Sequence, residues 1–235
     1  MGHTGNAMFQ YAFSRLLSER LGMKLFISDK EMASIREFFP NLAKLPDGKV
    51  VLAPIWYFGE LSIKHLQHVS INELADGNKD CGFDITGYFE RSDFYLSYRD
   101  TLINWFKLDT GKNINYTVMN IRAGQDYSYQ LEQEKDYYSK ALEIAGGDAV
   151  IVTDDPTNAF VKSFKLPIYH YNPIDDFKLM LSAKKLIVGR STFSWWAAFL
   201  GRAEQVIQPE PQHGFRSKEH YWTYLGVPYW TQVII

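Results

Sequence analysis

A single cysteine, Cys81, stands among 235 residues, so neither an internal disulfide framework nor a cysteine-rich zinc site can form. That scarcity suits a reducing compartment, and the chain reads as cytoplasmic. Surplus charge is also scarce. The 25 Lys and Arg residues oppose 27 Asp and Glu, a formal net charge of -2, which gives no global attraction to nucleic acid. No apolar run approaches the roughly 20 residues of a membrane-spanning helix, and the first residues lack the order of a signal peptide. The G-x-x-x-x-G-K-[ST] phosphate loop is missing too, which argues against a nucleotide-dependent kinase of that type. No internal repeat or low-complexity segment is present.

What the chain does have is alternation. Residues 116–121, 149–153, 168–170, 186–188 and 206–208 are short apolar runs, each read as a strand. Helical patterns separate them, over Glu134 to Ala145, from near Asp175, and from Ser191 onward. Strands alternating with helices predict an α/β fold with a parallel sheet covered on both faces. The earlier part is harder to read. Gly2 to Ala12 is a glycine-punctuated loop entering a helix, with Phe9, Phe13, Leu16 and Leu17 on one face and Gly22 as its C-cap. Lys24 to Ser28 reads as a strand, residues 31–80 as loops with short strands, Ile85 to Glu90 as a strand and Ser92 to Phe106 as a helix. A loop of the first kind normally leaves a strand, and only Met1 precedes it, so the first strand reads as absent or trimmed away. The turn at Gly111 predicts a division into a lobe of residues 1–110 and a second of residues 111–215. The aromatic segment 216–235 is expected to pack back on the first lobe.

Three strand exits in the second half carry chemistry. Arg122 follows Ile121, the Asp154–Asp155 pair follows Thr153, and Gly189-Arg190-Ser191-Thr192 follows Val188. In a parallel sheet all three loops open at one edge, where ligands bind. A guanidinium, two hydroxyls and the N–H groups of a new helix suit a phosphate. A neighbouring carboxylate suits the N–H edge of a guanine or the hydroxyls of a ribose. The combination points to a nucleotide or a nucleotide-sugar. Asp154 and Asp155 also suit a divalent cation, although Pro156 makes the run read as a turn and helix start.

Four blocks then resemble the inverting α-1,2-fucosyltransferases of glycosyltransferase family 11. Gly2-His3-Thr4-Gly5-Asn6-Ala7-Met8-Phe9-Gln10-Tyr11-Ala12 is similar to the family's G-G-L-G-N-Q-M-F-Q-Y-A, and Gly87-Tyr88-Phe89-Glu90 to its G-Y-F-Q. Asn120 to Tyr127 resembles H-x-R-R-G-D-Y. Asp176-Phe177-Lys178-Leu179-Met180 through Ser191-Thr192-Phe193-Ser194-Trp195-Trp196-Ala197-Ala198 resembles D-L-x-L-M through S-T-F-S-W-W-A-A, and Val152 to Pro156 its F-S-D-D stretch. The departures are Asn120 for the family's histidine, Ala123 for its second arginine, an aspartate displaced by one position to Asp126, and Arg190 for the asparagine before S-T-F.

The resemblance implies a GT-B-like pair of Rossmann-like lobes, with the donor crevice in the second. It implies a GDP-sugar donor, expected to be GDP-fucose, a glycan acceptor, and no metal or other cofactor. Arg122 is the expected charge on the departing diphosphate and Asp126 the expected base, with Glu132 behind it. Gly5, Asn6, Asn120, Asp154, Asp155, Arg190, Ser191, Thr192 and Phe193 are the expected donor-binding residues. The alternative, favoured by Asn120 and Ala123, is a degenerate relative that holds a nucleotide-sugar or glycan without turnover.

Overall fold

The computed structural model describes residues 4–27, 29–42, 55–59, 82–107, 114–124, 131–132, 134–210 and 225–234. The chain forms two compact units, Gly2–Leu108 and Asp109–Ile235.

In the unit Gly2–Leu108, α1 spans Thr4–Leu21 and α2 Asp29–Phe38, and the parallel strands β1 (Ile55–Gly59) and β2 (Gly82–Thr86) pair with each other. Two short 3-10 turns, Ser92–Phe94 and Leu96–Tyr98, precede α3 at Arg99–Phe106. The core is aromatic. Phe13 of α1 stacks on Phe89 at 4.1 Å between ring centroids and lies 5.1 Å from Phe94. The Tyr95 hydroxyl donates to the Phe89 carbonyl at 2.8 Å, and Gln10 Nε2 to the Gly87 carbonyl at 2.9 Å. The Gly87 to Glu90 block is therefore docked on α1. Fully burying each such ring contributes about 1.5–3 kcal/mol.

Several expectations change here. Gly5 and Asn6 lie in the first turn of α1 rather than in a loop, because the buried row Met8, Phe9, Ala12, Phe13 and Leu16 carries the helix back past a poor helix former. Gly22 does end the helix, at φ 65°, with the Met23 N–H on the Ser18 carbonyl. Residues 24–27 form no strand; Ser28 lies outside the described residues. Met32, Ile35, Phe39 and Leu42 are buried along and just beyond α2, a helix the sequence reading missed. The helix expected from Ser92 starts at Arg99, after Tyr95 turns its hydroxyl toward Phe89.

The unit Asp109–Ile235 contains a six-stranded sheet. Along the chain come β3 (Ile114–Ile121), α4 (Lys135–Ala145), β4 (Ala149–Thr153), α5 (Ala159–Ser163), β5 (Ile168–Tyr169), α6 (Pro173–Leu181), β6 (Ala183–Ile187), α7 (Thr192–Leu200), β7 (Gln205–Pro209) and β8 (Thr231–Val233). All pairings are parallel and the order is β5-β4-β3-β6-β7-β8. This is the doubly wound, Rossmann-like order, whose topological switch point falls between β3 and β6. The fold is α/β and GT-B-like. All five β4 residues and the last five of β3 are buried, as a sheet flanked on both faces by helices requires.

Residues 225–234, expected against the first lobe, belong instead to this second unit. Strand β8 extends its sheet beside β7, and Gln208 binds both the carbonyl and the N–H of Val227. Trp195 Nε1 donates to the Leu225 carbonyl at 2.8 Å, while its ring stacks on Phe199 and meets Trp230. The physical reason is backbone satisfaction: the β7 edge, Gln208 and Trp195 supply the partners that this segment needs. Residues 216–224 lie outside the described residues.

Trp195→Ala should therefore lose about 3–5 kcal/mol of stability, measured by chemical denaturation. A loss below about 1 kcal/mol would show that this packing does not hold the tail.

Candidate functional site

Strands β4, β3 and β6 are adjacent and parallel, so their exits open side by side, with roughly 4.8 Å between neighbouring strands. The sheet brings the Arg122, Asp154 and Ser191 loops to one edge.

Asp154 organises the first of them. Its Oδ1 accepts the backbone N–H groups of Ala123 at 2.7 Å and Gly124 at 3.0 Å, and its Oδ2 lies 3.0 Å from Arg122 Nη1. A side chain at Gly124 would put its Cβ 2.6 Å from Oδ2, so the turn needs a glycine there. The carboxylate expected to meet a nucleotide thus first holds the loop that presents Arg122. Both side chains remain part-exposed, at 21% for Arg122 and 17% for Asp154. Asp155 has another task. It accepts the hydroxyl of Thr157 at 2.6 Å and its N–H at 2.9 Å, contacts that hold the carboxyl below the usual carboxylate range. It builds the turn into α5, which Asn158 caps. Among the described residues no group of three or more His, Cys, Asp or Glu side chains could hold a metal ion.

Asn120 is the penultimate residue of β3 and is buried. Its Nδ2 donates to the Val152 carbonyl at 3.2 Å. A carbonyl can only accept, so this contact fixes the amide orientation. Oδ1 then faces away and has no hydrogen-bond partner among the described residues. On the β6 side, a Cβ at Gly189 would lie 2.4 Å from the Asn120 carbonyl oxygen and 2.5 Å from the Tyr138 hydroxyl.

Arg190 was expected to face an anion. It forms instead an ion pair with Glu134, both side chains largely buried. Burial of the guanidinium demands a carboxylate beside it, and Glu134, just before α4, supplies one. Ser191 is the N-cap residue of α7 by backbone conformation, yet its side chain makes no capping hydrogen bond. The first turn of α7 carries no acidic residue, which leaves the positive end of its dipole uncompensated within the helix. Thr192 and Phe193 are half-buried, the Phe193 ring 4.9 Å from Phe177.

Of the remaining candidates, Asp126 lies outside the described residues and Glu132 is exposed. Gly5 and Asn6 belong to the other unit. The sequence reading gave no role to Glu134, Tyr137 or Tyr138. Their spacing in the first turn of α4 marks one helix face, but no pattern could show that this face meets the β6–α7 turn.

Residues 152–225 match the family model for glycosyl transferase family 11, a span that includes Asp154, Asp155 and the Ser191 turn. The chain is also similar to the O-antigen biosynthesis glycosyltransferase WbnK of Escherichia coli. The two are 25% identical, with 91% of this chain and 93% of that protein covered. No solved structure matches. The likeness to family 11 seen in the sequence therefore stands, and with it the reading of the chain as a glycosyltransferase.

Gly189→Ala should cost about 1–3 kcal/mol. One obstacle is the backbone of a central strand, and the other sits on a ring packed among Tyr137, Phe160 and Phe164. An unchanged denaturation midpoint would show slack in the turn.

Proposed function

We propose that this glycosyltransferase moves a sugar, fucose from GDP-fucose on the family likeness, to a glycan hydroxyl with inversion at the anomeric carbon. The observation that carries the reading is the juxtaposition at the switch point. A part-exposed arginine, held by Asp154, stands at the strand exit next to the Ser191 start of α7, whose side chain makes no capping hydrogen bond. A diphosphate needs a cation and convergent N–H or O–H donors, and a helix start directs both its N–H groups and its positive dipole end outward. Asn120 Oδ1, buried and without a partner among the described residues, is assigned to the N–H edge of a guanine, which requires the groups that cover it to move aside. Thr192 and Phe193 complete the donor side.

In the reaction, a base takes the proton of the acceptor hydroxyl as its oxygen attacks the anomeric carbon from the face opposite the diphosphate. The bond from that carbon to the diphosphate oxygen breaks, and GDP departs with the electron pair. We assign the base to Asp126. Arg122 and the donors at the α7 start stabilise the charge that develops on the leaving oxygen, the role a metal plays in other transferases. The relative's name ties it to O-antigen biosynthesis, which supports a bacterial surface glycan, or its precursor, as acceptor here. We read the enzyme as cytoplasmic, where one cysteine stays reduced. Asn120 and Ala123, in place of a histidine and an arginine, favour a second reading: a protein that holds the donor without turnover.

Donor hydrolysis and transfer by Arg122→Ala test the assignment. Activity should fall about 10²–10³-fold, since the charge acts most strongly as the diphosphate departs. Stability should fall by about 1 kcal/mol, because Asp154 loses its charged partner but keeps two N–H donors. Arg122→Lys should recover only part of the activity, as a single ammonium cannot reproduce the planar fork. Full activity in Arg122→Ala removes Arg122 from the mechanism, and a wild type that binds GDP-fucose without consuming it selects the second reading.

A further inference from the structure

Three residues at the entry to α4 reach three consecutive residues of the β6–α7 turn. Glu134 pairs with Arg190, and the Tyr137 hydroxyl donates to the Val188 carbonyl at 2.7 Å, with the Ile207 carbonyl 3.1 Å away. The Tyr138 hydroxyl occupies the space beside Gly189 that a side chain would need. Glu134, Tyr137 and Tyr138 are all buried. Among the described residues, α4 is also the first α-helix after the Arg122 loop.

Stability alone does not explain a buried ion pair at this point. The desolvation of two charges offsets most of their attraction, and an apolar pair would hold the core as well. What the pair adds is a fixed direction. With its guanidinium on Glu134, Arg190 is turned toward the α4 entry, and the residue after it, Ser191, begins α7.

We propose that Glu134 is a positioning residue. By holding Arg190 against the entry to α4, it fixes the 188–190 turn and aims the Ser191 hydroxyl and the start of α7 at the donor diphosphate. Arg190 is then a strut, and Arg122 carries the charge on the leaving group. The inference rests on the donor-crevice reading above.

Steady-state kinetics with GDP-fucose on the full chain test it, using wild type, Glu134→Gln, Arg190→Gln and the double variant. Each single variant should lower kcat/KM about tenfold or more, chiefly through the donor KM, because the diphosphate contacts are misplaced rather than removed. The double variant should be no worse than the poorer single variant, since both changes break one interaction, and it carries no uncompensated buried charge. A much larger loss in Arg190→Gln than in Glu134→Gln makes Arg190 a direct diphosphate ligand and overturns the proposal. So does a folded double variant with the wild-type donor KM. Should the double variant not fold, Tyr137→Phe reads the same turn: a raised donor KM supports the proposal and an unchanged one overturns it. A wild type that neither binds nor consumes GDP-fucose, GDP-mannose or a UDP-sugar overturns the crevice reading and this inference together, an outcome distinct from an active wild type with insensitive variants.

Discussion

Strands β3 and β6 end so close together that Gly189 has no room for a side chain between the Asn120 carbonyl and the Tyr138 hydroxyl. The rest of the site follows from that contact. Their connections leave in opposite directions, toward β4 on one side and β7 on the other, so the sheet opens a crevice above the place where the strands pack most tightly. Two of the described strand exits have fixed backbones, Ala123 and Gly124 through Asp154 on one wall and residues 188–190 through the α4 entry on the other.

The two arginines at this edge show how burial separates like residues into unlike roles. Arg122 keeps part of its surface in solvent and pairs with a carboxylate that is also satisfied by two backbone N–H groups. Such a guanidinium can meet a further anion without leaving Asp154 unpaired. Arg190 is more deeply buried and its carboxylate, on Glu134, is nearly inaccessible. Moving that guanidinium toward a ligand would leave a buried charge without compensation, a cost of several kcal/mol. Proximity to the crevice in sequence is therefore a poor guide to which cation reaches it.

The second unit was largely legible because its strands are buried on both faces and read as continuous apolar runs, β4 without a shift at either end. Strand β6 was seen only from Leu186, since Lys184 and Lys185 occupy its early positions. Their amines reach Glu204 and the Ala145 carbonyl at the opposite end of the sheet. The three strand exits were likewise visible, because a parallel sheet dictates where they open. Side-chain partners were not. Nothing in the spacing of Asp154 told that it would bind the Ala123 and Gly124 N–H groups, and nothing near Arg190 pointed to Glu134, 56 positions earlier in the numbering. The tail misled for a related reason: its aromatic residues predict burial but do not say against what, and the β7 edge decided it.

The proposed activity is cleavage of a GDP-sugar in the crevice beside Arg122 without a bound metal. Its most direct test is the release of GDP from GDP-fucose by the purified chain, followed with and without a chelator and with a glycan acceptor present or absent. The account predicts GDP release that the acceptor accelerates and the chelator leaves unchanged. No GDP released from GDP-fucose under any of these conditions, or release abolished by the chelator and restored by a divalent cation, would contradict it.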